Sequence, residues 1–118
     1  MSYRFPKKMR LCRQEEFDAV FHARISAGDA VLVVYGMRNG LKFSRLGLKV
    51  SKKNAGKRAV DRNFWKRILR EVFRQSQHEE PFGVDWVVFP KQGAVPDFHR
   101  VNDSFRQLRC RVIDKLAT

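Results

Sequence analysis

KRAVDRNFWKRILREVFRQ, residues 57–75, carries two patterns at once. Trp65, Ile68, Leu69, Val72 and Phe73 recur at the three- and four-residue steps that line one side of an α-helix. Arg62, Lys66, Arg70 and Arg74 recur at steps of four, with Arg67 beside them, and fall on a neighbouring side. The spacing predicts a helix whose apolar stripe packs on a sheet and whose cationic side stays outside. Like charges at i, i+4 cost an isolated helix a few tenths of a kcal/mol per pair, a cost that a bound polyanion removes.

On the N-terminal side, Leu46, Leu48 and Val50 alternate with Gly47, Lys49 and Ser51, which predicts a strand over Arg45 to Lys53 with one core face and one polar, basic face. Val31 to Tyr35 is β-branched and aromatic, and Asn39-Gly40 after it is a hairpin signal that would join the two strands. Earlier still, Phe17, Val20 and Phe21 at i, i+3, i+4 predict a short amphipathic helix.

On the C-terminal side, Asp85 to Phe89 reads as a short apolar strand stopped by Pro90. A final helix buries Val101, Phe105, Leu108, Val112 and Leu116, while Arg106, Arg109 and Arg111 add positive charge. The expected fold class is α+β: a single-domain sandwich over residues 1–118, with a small β-sheet packed by helices in the order α-β-β(-β)-α-β-α, ribosomal-protein-like.

Charge narrows the function classes. The chain has 25 Lys+Arg against 12 Asp+Glu, a formal net charge of +13. Between Arg45 and Arg74 stand eleven basic residues and two acidic ones, Asp61 and Glu71. A solvated surface mixes signs, so a block this one-sided points to a face that meets a polyanion. Met1 to Arg13 lacks the apolar core of a signal peptide, and the apolar runs are too short to span a bilayer, so a cytoplasmic protein without membrane association is expected.

Catalytic signatures are missing. The sequence contains no glycine-rich phosphate loop, HExxH or nucleophile elbow. Cys12 and Cys110 are isolated and read as reduced thiols, with no zinc spacing. His22 and His99 would serve as acid and base on a phosphodiester only if the fold joined them, and nothing in the sequence does so. Glu15-Glu16 and Glu79-Glu80 read as helix-end charges rather than Mg²⁺ ligands. DNA binding by the basic helix lacks the second helix of a helix-turn-helix.

Ser44-Arg-Leu-Gly-Leu-Lys-Val-Ser-Lys-Lys53, then Ala59-Val-Asp-Arg-Asn63 and Lys66-Arg-Ile-Leu-Arg-Glu71, form an ordered set that closely resembles the bacterial ribonuclease P protein family. Phe17-Asp-Ala-Val-Phe21, Val33-Val-Tyr35 and Asp85-Trp-Val-Val88 extend the resemblance over nearly the whole chain.

The resemblance implies an accessory subunit of a tRNA-processing endoribonuclease. It would bind a catalytic RNA subunit and the 5′ leader of precursor tRNA, with no catalytic residues of its own and with Mg²⁺ held mainly by the RNA. It assigns Arg62, Asn63, Lys66, Arg67 and Arg70 to the catalytic RNA. Phe17, Phe21 and Tyr35, bordered by Lys49, Ser51 and Lys53, fall to a cleft for the single-stranded leader. On general grounds Phe17 and Phe21 at i, i+4 are more often core than base-stacking residues, and it is the resemblance that turns them to the cleft. Phe64 departs from the family, standing where many members have another arginine. The alternative function is a ribosomal-type structural RNA-binding protein or RNA chaperone, and a protein-only nuclease is the enzymatic rival.

Overall fold

The computed structural model describes residues 7–76 and 80–118. After one 3-10 turn at Lys7–Met9 come helix α1 (Gln14–Ala23) and strands β1 (Ser26–Gly28), β2 (Leu32–Arg38) and β3 (Arg45–Leu48). A one-turn helix α2 (Lys52–Ala55) leads into the long helix α3 (Ala59–Ser76), followed by strand β4 (Val84–Pro90) and helix α4 (Phe98–Ala117). The α+β class and the expected order hold, with β1 as the optional extra strand.

The pairing differs from the expected hairpin. The sheet order is β1-β2-β4-β3, so β2 and β3 are not neighbours. β4 lies between them, antiparallel to β2 from Leu32↔Pro90 to Arg38↔Val84 and parallel to β3 from Arg45↔Asp85 to Leu48↔Val88. Burial explains the choice: Val84 through Val88 are buried without interruption, and a strand apolar on both faces gains most at the centre of a sheet. Asn39 still turns the chain, but its amide donates to Asp85 Oδ1 at 2.9 Å and to the Phe43 carbonyl at 3.1 Å. The turn is thus tied to β4.

Strand β3 also ends at Leu48, short of the expected Lys53. Ser51 Oγ accepts from the Asn54 N–H at 3.3 Å, while Asn54 Oδ1 accepts from the Ser51 N–H at 2.9 Å. This reciprocal cap starts α2 and draws Ser51 to Lys53 off the ladder.

One face of the sheet carries Leu32, Val34, Leu46, Trp86 and Val88 against α3 and α4. The other carries Val87 beneath α1, with Leu11 and Val20 buried and Phe17, Phe21, Tyr35 and Met37 partly so. That second face is covered and apolar where the alternation of Gly47, Lys49 and Ser51 predicts a polar, basic one. A Cβ on Gly47 would lie 2.6 Å from the Phe17 ring, so the ring rests on bare backbone.

All five apolar residues expected on α3 are buried, as are Val101, Phe105, Leu108 and Val112 on α4. Leu116 is half-buried, and Arg109 is buried instead of adding surface charge. Glu80 does not act as a helix-end charge: it accepts a hydrogen bond from Trp86 Nε1 at 2.9 Å. Its neighbour Glu79 lies outside the described residues. Among the described residues, no helix is long and apolar enough to cross a membrane.

Candidate nucleic-acid interface

The basic side of α3 opens on a groove of about 480 Å³ lined by Asn63, Lys66, Arg67 and Arg70 together with Arg10 and Arg74. Glu71 also lines it, but Glu71 and Asp61 are both already engaged. Glu71 accepts from Arg74 Nε at 3.0 Å, and Asp61 accepts from Arg58 Nε at 3.1 Å. Each arginine holds its carboxyl below the ordinary value, so both acids stay ionised and paired. Among the described residues no carboxylate forms an ion pair with Lys66, Arg67 or Arg70. Three cations therefore remain for an external anion.

Arg62 stands apart from this set. Its Nη1 donates to the carbonyls of Gly56 at 3.1 Å and Lys57 at 2.8 Å, fastening the turn that leads into α3. It does not line the groove.

A second recess, of about 320 Å³, adjoins the first and is lined by Phe17, Leu11, Leu46, Arg10, Lys66 and Arg70. Arg10, Lys66 and Arg70 thus border both. Lys49 Nζ stands 5.5 Å from the centre of the Phe17 ring. Beyond it the rings continue as a row: Phe21 meets Tyr35 edge-on at 4.8 Å, and Tyr35 stacks on Phe89 at 6.2 Å. Phe89 then lines a third recess, of about 250 Å³, with Ser51, Lys53, Lys91 and Gln92. Phe17, Phe21 and Tyr35 are only partly buried on the second core, so they pack and present a surface together. Ser51 and Lys53, expected along the border of the cleft, line this recess with Phe89.

Two residues of this surface escape the sequence patterns. Arg10 is placed by a parallel bridge to Leu46 and by the Leu11 N–H, which donates to the Leu46 carbonyl at 2.9 Å. A lone buried leucine between basic residues carries no periodicity to announce it. Phe89 was within reach of the alternation along β4, which sets it on the α1 side opposite Trp86 and Val88.

The sequence profile of the family described as Ribonuclease P matches residues 5–112. A ribonuclease P protein component from Cronobacter sakazakii is 38% identical over 113 residues, covering 92% of this chain and 93% of the relative. The chain belongs to the ribonuclease P protein family. The same component from Salmonella arizonae is 44% identical over 89 residues, covering 75% of this chain and 73% of the relative. In three dimensions, the RNase P protein from Thermotoga maritima matches with a TM-score of 0.72 at 33% identity, over 83% of this chain and 92% of that one. The Staphylococcus aureus RNase P protein matches with a TM-score of 0.75 at 27% identity, over 86% and 93%.

Phe64, within the Arg62 to Arg70 stretch of α3, is 47% exposed. Other chemistry finds little support in the side chains. Among the described residues, no three His, Cys, Asp or Glu side chains come together as a metal site. His22 sits on α1 with its Nδ1 3.1 Å from the Asp18 carbonyl, and His99 lies in the first turn of α4 against Phe98. Cys12 and Cys110 are exposed free thiols.

Proposed function

We propose that the chain is the protein subunit of a ribonuclease P ribonucleoprotein, accessory to a catalytic RNA that matures the 5′ end of tRNA. Asn63, Lys66, Arg67 and Arg70 hold phosphates of the folded catalytic RNA. The row Phe17, Phe21, Tyr35 and Phe89 offers π-faces to unstacked bases of the precursor's leader, with Lys49, Lys53 and Ser51 along its border. Arg62 serves this interface indirectly, by fixing the start of α3.

The observation that supports the reading best is the seam between the two surfaces. Lys66 and Arg70 border both the cationic groove and the recess beneath Phe17. One strand of RNA leaving a folded RNA therefore meets phosphate-binding cations and a ring within one continuous recess.

The protein supplies no catalytic group in this reading. This reading asks no Mg²⁺ ligand of the protein, and Asp61 and Glu71 on α3 are each paired with an arginine. Any Mg²⁺ at the seam is bound by RNA phosphates, and the hydrolytic chemistry belongs to the RNA.

Sequencing the RNA that co-purifies with the chain, followed by reconstitution, tests the reading. One structured, non-ribosomal RNA is expected, and it cleaves precursor tRNA in Mg²⁺ better with the protein than without it. Recovery of ribosomal RNA alone would leave a structural RNA-binding protein or chaperone instead. Cleavage by the protein freed of all RNA would make it a nuclease in its own right.

A further inference from the structure

Val60 and Phe64 stand one turn apart on α3, with 62% and 47% of their surfaces exposed. They are two of only four large apolar side chains so exposed among the described residues. A single exposed apolar residue needs no explanation, but an adjacent pair at the rim of a cationic face does. Arg67 follows Phe64 by three residues and is exposed, whereas Ile68, at i+4, is buried. Phe64 therefore sits where the core stripe ends and the basic side begins, across the helix from the seam at Lys66.

We infer that Phe64 is a stacking platform for an unpaired base of the RNA that α3 grips, with Val60 covering the edge of that base. The inference rests on the function proposed above and adds an interaction of a different kind. Arginines and lysines hold phosphates and read nothing of base stacking, while an aromatic ring needs a base free of its own helix. Arg67 beside the ring places a phosphate-binding cation within one nucleotide's reach. Charge argues against a second copy of the chain as the occupant. A second copy docking on this edge would bring two strongly basic helices together on chains of formal net charge +13 each.

Three variants measured with ribonuclease P RNA over a range of salt test the inference. Phe64→Leu keeps apolar volume but removes the ring, and it should weaken binding by about 5- to 150-fold, the range of one missing stack. Its slope of log affinity against log salt should stay unchanged, because every phosphate remains as well neutralised as before. Phe64→Trp should bind like the parent, and RNA should quench the added indole over a constant background from the buried Trp65 and Trp86. Phe64→Arg should steepen the salt slope by roughly 0.7–0.9, exchanging a stack for a neutralised phosphate.

A Phe64→Leu chain that melts like the parent and binds equally well at every salt overturns the inference, as does an unquenched indole in Phe64→Trp. A parent that dimerises without RNA through this residue, with Phe64→Leu monomeric, overturns it too. A parent that does not bind ribonuclease P RNA at all brings down the proposed function first, and the stacking platform with it.

Discussion

Arg45 holds Asp85 through two parallel hydrogen bonds, Nε to Oδ1 at 2.8 Å and Nη2 to Oδ2 at 2.6 Å. The pair joins β3 to β4 at the first rung of their parallel ladder. The guanidinium's remaining arm donates from Nη1 to Glu16 Oε2 at 3.1 Å, bringing in α1. Glu16 in turn accepts from the N–H groups of Cys12 and Arg13 at 3.0 Å each. One planar cation thus locks the strand order and hangs the helix that carries Phe17.

Removing that cation strands a buried anion. Asp85 is 2% exposed, and among the described residues its side chain without Arg45 keeps only the Asn39 amide. Arg45→Ala should cost on the order of 3 kcal/mol, the low end for breaking a buried pair. Chemical denaturation checks this, and a loss below about 0.5 kcal/mol would return the pair to the class of surface ion pairs.

Acid should loosen this corner and also the turn between β1 and β2, where Asp29 is held. The backbone N–H groups of Arg13 and Cys12, assisted by Arg45, hold the Glu16 carboxyl below its ordinary value of 4.5. Burial pushes Asp29 up, but the Ser104 hydroxyl and the Leu32 and Val31 N–H groups outweigh it and leave it below 3.8. A depressed folded pKa gives stability that is present above the unfolded value and lost as pH falls through the folded one. The melting temperature should therefore hold from neutral pH to about 5 and fall at lower pH. Glu16→Gln should lower it at neutral pH and flatten the acid decline. An undiminished acid decline in that variant would assign the effect elsewhere.

Lys66→Ala with Arg70→Ala removes two cations of the seam and leaves the buried stripe of α3 intact. Alanine is the best helix former, so the fold should persist. Affinity for ribonuclease P RNA should drop, and the salt slope should lessen by roughly 0.7–0.9 for each phosphate no longer neutralised. Arg62→Ala should behave differently. It frees the Gly56 and Lys57 carbonyls, so circular dichroism and melting should report fraying of the α2–α3 turn beside any loss of binding.

Tyr35→Leu and Phe89→Leu each take a ring from the stacked pair while keeping apolar volume. Binding of precursor tRNA to the reconstituted particle should weaken by about 1–3 kcal/mol for one stack removed. Mature tRNA, which has no leader, should bind nearly as before, and assembly with the catalytic RNA should be unaffected. Equal binding of both tRNAs in variants that melt early would make these rings packing residues alone.

The sequence exposes what local periodicity dictates. The stripe from Trp65 to Phe73 and the β-branched run of β2 each state their own structure, because the burial of each residue follows from its neighbours three, four or two positions away. Strand pairing is not local. Asn39-Gly40 is a sound turn signal, yet the partner of β2 was decided by the two-sided burial of β4, more than forty residues on. The end of β3 was legible in principle, since Ser51-Lys-Lys-Asn54 is a capping pattern, but the alternation through Val50 and Ser51 hid it. The site divides in the same way. The α3 cations follow from spacing, while Arg10 and the meeting of the two recesses arise only once β3 sets the N-terminal segment beside α3.

The central strand of the sheet is also the last to be made. As the chain leaves the ribosome, β2 and β3 emerge without the strand that joins them, and only β1 has its partner at hand. Closing the loop between β2 and β4 brings together residues such as Arg38 and Val84, and that entropy must be spent before their pairing forms. Folding should thus come late and in one cooperative step, once both β4 and α4 are free. A nascent chain stalled before Val84 carries every cation of the basic helix and most of the ring row, but has no platform to hold the one against the other.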